Sequence, residues 1–135
     1  MSALSANPEV VLTGKVAEVG QYYRDTDIVI APLRVTSGTC IKILEAFSYR
    51  RPVVSTGIGA EGYQVSHGRE ILLTDSAPRF AEHCLSLMAE PGEGRQMADR
   101  AFEWVRKHHS PEAVKARLGG NLPRTLLPDR SQSIP

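Results

Sequence analysis

Two cysteines, Cys40 and Cys84, are all the chain contains; they show no metal-ligand spacing and no Cys-x-x-Cys pair, so neither a disulfide framework nor a zinc site has support. Reduced thiols are the expectation. No apolar run approaches the roughly 20 residues that cross a bilayer, and the amino-terminal residues lack the charged and apolar regions of a signal peptide. A cytoplasmic protein without a transmembrane segment is expected. Neither sign of charge dominates: with a formal net charge of +1 and interspersed acids and bases, the chain has no basic stripe of the kind a nucleic-acid backbone requires. Also missing are Gly-x-x-x-x-Gly-Lys-Ser/Thr, which disfavours a P-loop NTPase, and a Gly-x-Gly-x-x-Gly dinucleotide fingerprint. The four histidines, His67, His83, His108 and His109, are too scattered for a metal site or a nucleophilic triad.

What is present is an ordinary globular composition, 41% apolar and 23% charged over 135 residues, enough for one domain with one core. Residues 9–14 (EVVLTG) form a β-branched run closed by glycine and read as a strand. Val16, Val19, Tyr22 and Tyr23 recur at helical spacing until residues 25–27 (DTD) break the pattern. Residues 28–31 (IVIA), stopped by Pro32, form a continuous apolar run of the kind found in strands covered on both faces of a parallel sheet. A helix over 39–49 carries Ile41, Leu44, Ala46 and Phe47; a strand follows at 53–56, then a glycine-rich loop at 57–62 and a fourth strand at 68–74. Two further helical patterns, through Phe80, Cys84, Leu87 and Met88 and through Met97, Ala101, Trp104 and Val105, are separated by Pro91 and Gly92. Ser110 and Pro111 resemble a cap opening a short helix to Leu118, which Gly119 and Gly120 end. The expected fold is α/β, a Rossmann-like three-layer α/β/α domain over residues 1–118 with a parallel sheet of about four strands. Residues 119–135 read as a weakly ordered or docking tail.

The richest segment runs from Ala31 to Thr56. Its loop places Ser37, Gly38 and Thr39 where a helix begins, so unpaired backbone N–H groups and the positive end of a helix dipole share one space, an anion site. Lys42 and Glu45 lie three residues apart on one face of that helix, adding a cation and a carboxylate acceptor. Plainer readings exist for each: Gly38 and Thr39 as a simple cap, Lys42 with Glu45 as a solvated pair, Cys40 as a small buried side chain, and the 57–62 glycines as turn formers. In an open α/β sheet a ligand sits beyond the carboxyl ends of the strands, where the loops at 33–39, 57–62 and 75–78 converge, the first two being the stronger candidates.

Taken in order, V-L-T-G at 11–14, Y-Y at 22–23, D-I-V-I-A-P at 27–32, S-G-T-C-I-K-I-L-E-A at 37–46, P-V-V-S-T at 52–56 and G-A-E-G at 59–62 resemble the group 1 glycosyltransferases. The resemblance covers residues 9–118 and implies part of the donor-binding lobe of a GT-B enzyme, which takes a nucleotide-diphosphate sugar without an obligatory metal or other cofactor. It implies that Glu45 accepts hydrogen bonds from ribose hydroxyls, that the backbone amides of Gly38, Thr39 and Cys40 hold the diphosphate, and that Lys42 and Arg34 are auxiliary phosphate cations. Where many relatives carry a first glutamate eight positions before the second, this chain has Ser37. The resemblance also implies two further strands and an acceptor lobe before residue 9. The chain alone is accordingly expected to be inactive, and the strand at 10–12 to pair with 28–31 or with another chain, giving self-association through an exposed sheet edge. The alternative is a non-catalytic interaction module that keeps the fold and uses that edge for assembly.

Overall fold

The computed structural model describes residues 2–111. Most of the helix expected at 110–118, the boundary at 118/119 and the 119–135 tail lie outside the described residues. The sheet is parallel and runs in the order β1 (Val29–Ala31), β2 (Val53–Ser55), β3 (Leu72–Leu73). Val29 pairs with Val53, Ala31 with Ser55, and Val54 with Leu72. The helices are α1 (Ser2–Ser5), α2 (Gly20–Asp25), α3 (Ile41–Ser48), α4 (Ala77–Ala89) and α5 (Pro91–His109).

β2 is buried along its whole length, Val53 and Ser55 on one face and Val54 on the other, as a strand between two helical layers must be. Ile43, Ala46 and Phe47 recur at helical spacing on α3 and are buried against Val29, Ala31 and Val53 of the sheet and Ala101 and Trp104 of α5. Phe47 meets Trp104 edge-on at 6.2 Å between ring centres, and the indole N–H donates to the Gln64 carbonyl at 2.9 Å, which satisfies its one polar atom. α3 stops in a left-handed turn. Arg50 has φ 53°, its N–H donates to the Phe47 carbonyl, and the Arg51 N–H reaches back to the Ala46 carbonyl at 2.9 Å.

Two expectations are corrected. Residues 10–12 form no strand, and Val11 is 81% exposed, so among the described residues the sheet has three strands rather than four. The ladder explains why. The Val29 N–H donates to the Pro52 carbonyl, so Val29 and Ala31 turn their polar groups to β2 and Ile30 alone turns its N–H and C=O to the open edge, beside a proline with no N–H to give. The expected boundary between the last two helices is present: α4 ends at Ala89 and Pro91 opens α5, where its missing N–H costs nothing at a first helical position. The second correction is the extent of two elements. The helix expected from Val16 begins at Gly20, and the strand expected at 68–74 reduces to Leu72–Leu73 plus an isolated parallel bridge from His67 to Ile71.

Candidate functional site

The connections leaving the three strands are tied to one another. The Thr56 hydroxyl donates to the Leu33 carbonyl at 2.6 Å and accepts the Gly59 N–H at 3.2 Å, which fastens the loop after β1 to the loop after β2. Asp75, just beyond β3, accepts the Gly57 N–H at 3.0 Å. These ties border an open cleft of about 900 Å³ at the carboxyl ends of the strands, walled by Leu33, Ile58, Ala77 and Phe80 with Arg34, Glu61 and Asp75 among them. The loop following β3 belongs to this cleft as fully as the other two.

The amino end of α3 lies one step further along the first loop. Its cap residue is Cys40, with no side-chain hydrogen bond capping the helix end, so the reading of Gly38 and Thr39 as a simple cap does not hold. The Thr36 hydroxyl instead pairs locally with Gly38, accepting its N–H at 3.3 Å. Ser37, Gly38 and Thr39 are exposed and Cys40 is half-buried. Tyr63 clasps this loop from the glycine-rich side, its hydroxyl donating to the Cys40 carbonyl at 2.9 Å; burial pushes that phenol above its ordinary value, so it stays a donor. Gly62, at φ +89°, lies alongside the Thr39 hydroxyl.

Lys42 and Glu45 do share a helix face, and that face looks toward α2 and the open side of β1. They form no ion pair among the described residues. Glu45 is half-buried and accepts the Tyr23 hydroxyl proton at 2.8 Å, while Lys42 is exposed beside a small cleft that it lines with Tyr22, Tyr23, Ile28 and Ile30. The solvated Lys42–Glu45 pair is thus not what holds this face. The predicted residues fall into two neighbouring spaces. Arg34 stands in the large cleft, Lys42 and Glu45 stand on the α2 side, and the exposed loop with Ser37, Gly38 and Thr39 connects them along the chain. Tyr23 and Tyr63 went unread as site residues, because what makes them matter is a partner 22 and 23 positions away.

The family model for group 1 glycosyl transferases matches residues 1–90. Among curated proteins, the chain is 27% identical over 97 residues to an uncharacterized 44.6 kDa protein in the cps region of Klebsiella pneumoniae, covering 72% of this chain and 25% of that protein. It is 33% identical over 89 residues to a trehalose synthase of Rubrobacter xylanophilus, covering 66% of this chain and 21% of the relative. The chain therefore spans about a quarter or less of the length of these relatives. Two crystal structures share the fold. One is the C-terminal domain of a group 1 glycosyl transferase family protein, LpcC, from Francisella tularensis, with TM-score 0.69 and 19% identity over 76% of this chain and 55% of that one. The other is Anabaena Alr3699/HepE in complex with UDP-glucose, with TM-score 0.75 and 18% identity over 87% of this chain and 33% of that one. With two thirds of its residues matched by the family model, the chain belongs to the group 1 glycosyltransferases.

Proposed function

We propose that this chain is the donor-binding part of a glycosyltransferase and holds a nucleotide-diphosphate sugar. The observation that carries the reading is the open amino end of α3: no side chain closes it, Tyr63 fixes the Cys40 carbonyl, and the carboxylate of Glu45 waits one turn inward. Backbone N–H groups at a helix end suit a diphosphate. In this reading the amides of Gly38, Thr39 and Cys40 take the diphosphate, Glu45 takes the ribose hydroxyls, and Lys42 and Arg34 supply auxiliary positive charge. Ser37 stands where many relatives have a glutamate, so it contacts the sugar as a neutral hydroxyl. The products are polysaccharides or glycoconjugates. Transfer needs an acceptor positioned against the donor as well as a stabilised leaving diphosphate. The residues named here serve the second task, so the chain by itself binds donor without turning it over.

Calorimetric titration with UDP-glucose, GDP-glucose and ADP-glucose tests this. At least one donor should bind at millimolar affinity or tighter, and Glu45→Ala should weaken it about tenfold or more, the loss of hydrogen bonds to a charged acceptor. Absence of binding by all three would remove the reading.

A second reading, a non-catalytic assembly module, is favoured by one observation: β1 is an edge strand with Ile30 46% exposed on its outer side. Self-association through that edge should appear in light scattering of the purified chain as a mass above that of one copy. A monomer at all concentrations tried would count against it.

A further inference from the structure

Tyr23 is held more firmly than its place on a six-residue helix requires. Its ring stacks on Tyr49 at 5.3 Å with the planes 8° apart. At the start of α2 the backbone of Gly20 comes so close that a Cβ there would sit 2.6 Å from the Tyr49 hydroxyl. At its end the Arg51 guanidinium donates to the Arg24 carbonyl at 2.7 Å. α2 is thus fixed to the two ends of the turn that closes α3, and the Tyr23 hydroxyl is carried to the Glu45 carboxylate. Burial, then the hydrogen bond and negative charge of Glu45, push this phenol far above its ordinary value, so it donates at every physiological pH.

We propose that Tyr23 is a positioning residue for Glu45: its O–H holds Oε2, which fixes the carboxylate plane and leaves Oε1 directed to the ribose hydroxyls of the donor. This rests on the reading of Glu45 as the ribose acceptor. A carboxylate on a helix surface otherwise samples several rotamers, and ordering it on binding weakens the complex. A hydrogen bond made before the donor arrives removes that penalty, and its effect is confined to ligands that carry the hydroxyls.

The test compares UDP, GDP and ADP with their 2′,3′-dideoxy counterparts by calorimetry, using the wild-type chain, Tyr23→Phe and Glu45→Ala. Tyr23→Phe keeps the ring and its stack, so the far-UV circular dichroism should stay at the wild-type shape and the chain should still melt cooperatively. It should weaken the ribonucleotide that binds by about three- to tenfold, the range of one hydrogen bond, and leave its dideoxy counterpart unchanged. Equal weakening of both ligands would mean that Tyr23 only supports the fold, and tighter ribonucleotide binding would mean that it competes with the ribose; either overturns the inference. If Glu45→Ala lowers ribonucleotide affinity and Tyr23→Phe does not, the positioning role alone falls. If Glu45→Ala leaves ribonucleotide affinity unchanged, the ribose reading falls and takes this inference with it.

Discussion

Phe47→Ala should destabilise the chain by about 3–5 kcal/mol, the cost of emptying a fully buried aromatic site in a core that cannot collapse around it. Phe47 is on the inward face of α3, enclosed between the sheet and α5, and edge-on to Trp104. Single domains are held by roughly 5–15 kcal/mol in total, so the loss is a large share of the whole. Trp104 is the sole tryptophan, and its ring touches the site, so urea titration followed by its emission reads the change directly. The thermal midpoint should fall by about 10 °C or more. A loss under about 1 kcal/mol would mean that the α3–α5 seam is not the core.

Gly59→Ala should cost about 1–3 kcal/mol, the usual range for forcing a methyl into a filled space. The reason is contact rather than backbone angle. A Cβ at this position would lie 2.4 Å from the Ser55 hydroxyl and 3.2 Å from the Ala31 carbonyl, and Ser55 has no exposed surface into which to retreat. Its hydroxyl is within hydrogen-bond distance of the carbonyls of Ala31 (3.2 Å) and Thr56 (3.0 Å), so moving it also breaks the tie between β1 and β2 at their carboxyl ends. Gly92→Ala is the matched control, since a Cβ there meets nothing within 4 Å. It should be neutral or slightly stabilising by helix propensity. Denaturant midpoints for the pair check both, and equal behaviour of the two variants would contradict the packing described here.

The parts of the fold that were legible are those that local pattern determines. Residues 28–31 are an unbroken apolar run and Val53-Val54 continue the pattern, and on α3 Ala46 and Phe47 are buried as expected, whereas Ile41 is 66% exposed and Ile43 takes its place in the core. Residues 10–12 show the opposite case. They are as β-branched as β1, but a strand is a relation to a partner, and Ile30 alone offers one. Spacing puts Glu45 on the helix face that it shares with Lys42, whereas its hydrogen-bond partner is not readable there, because Tyr23 reaches it only through the packing of α2 on Tyr49. Pro91 was legible as a boundary, because its residue type marks one in the sequence, and the helices do part there, α4 ending at Ala89 and α5 opening at Pro91.

The strand order has a kinetic consequence. Each strand pairs with the next one along the chain, and Val29 to Val53 is 24 positions while Val54 to Leu72 is 18. Both ring closures are short for a parallel sheet, so the entropy lost in forming them is modest and the contact order of the sheet is low. A longer closure brings Trp104 back to Phe47 across 57 positions (104 − 47). The sheet can therefore assemble as the chain emerges from the ribosome, with α5 arriving afterwards to seal it.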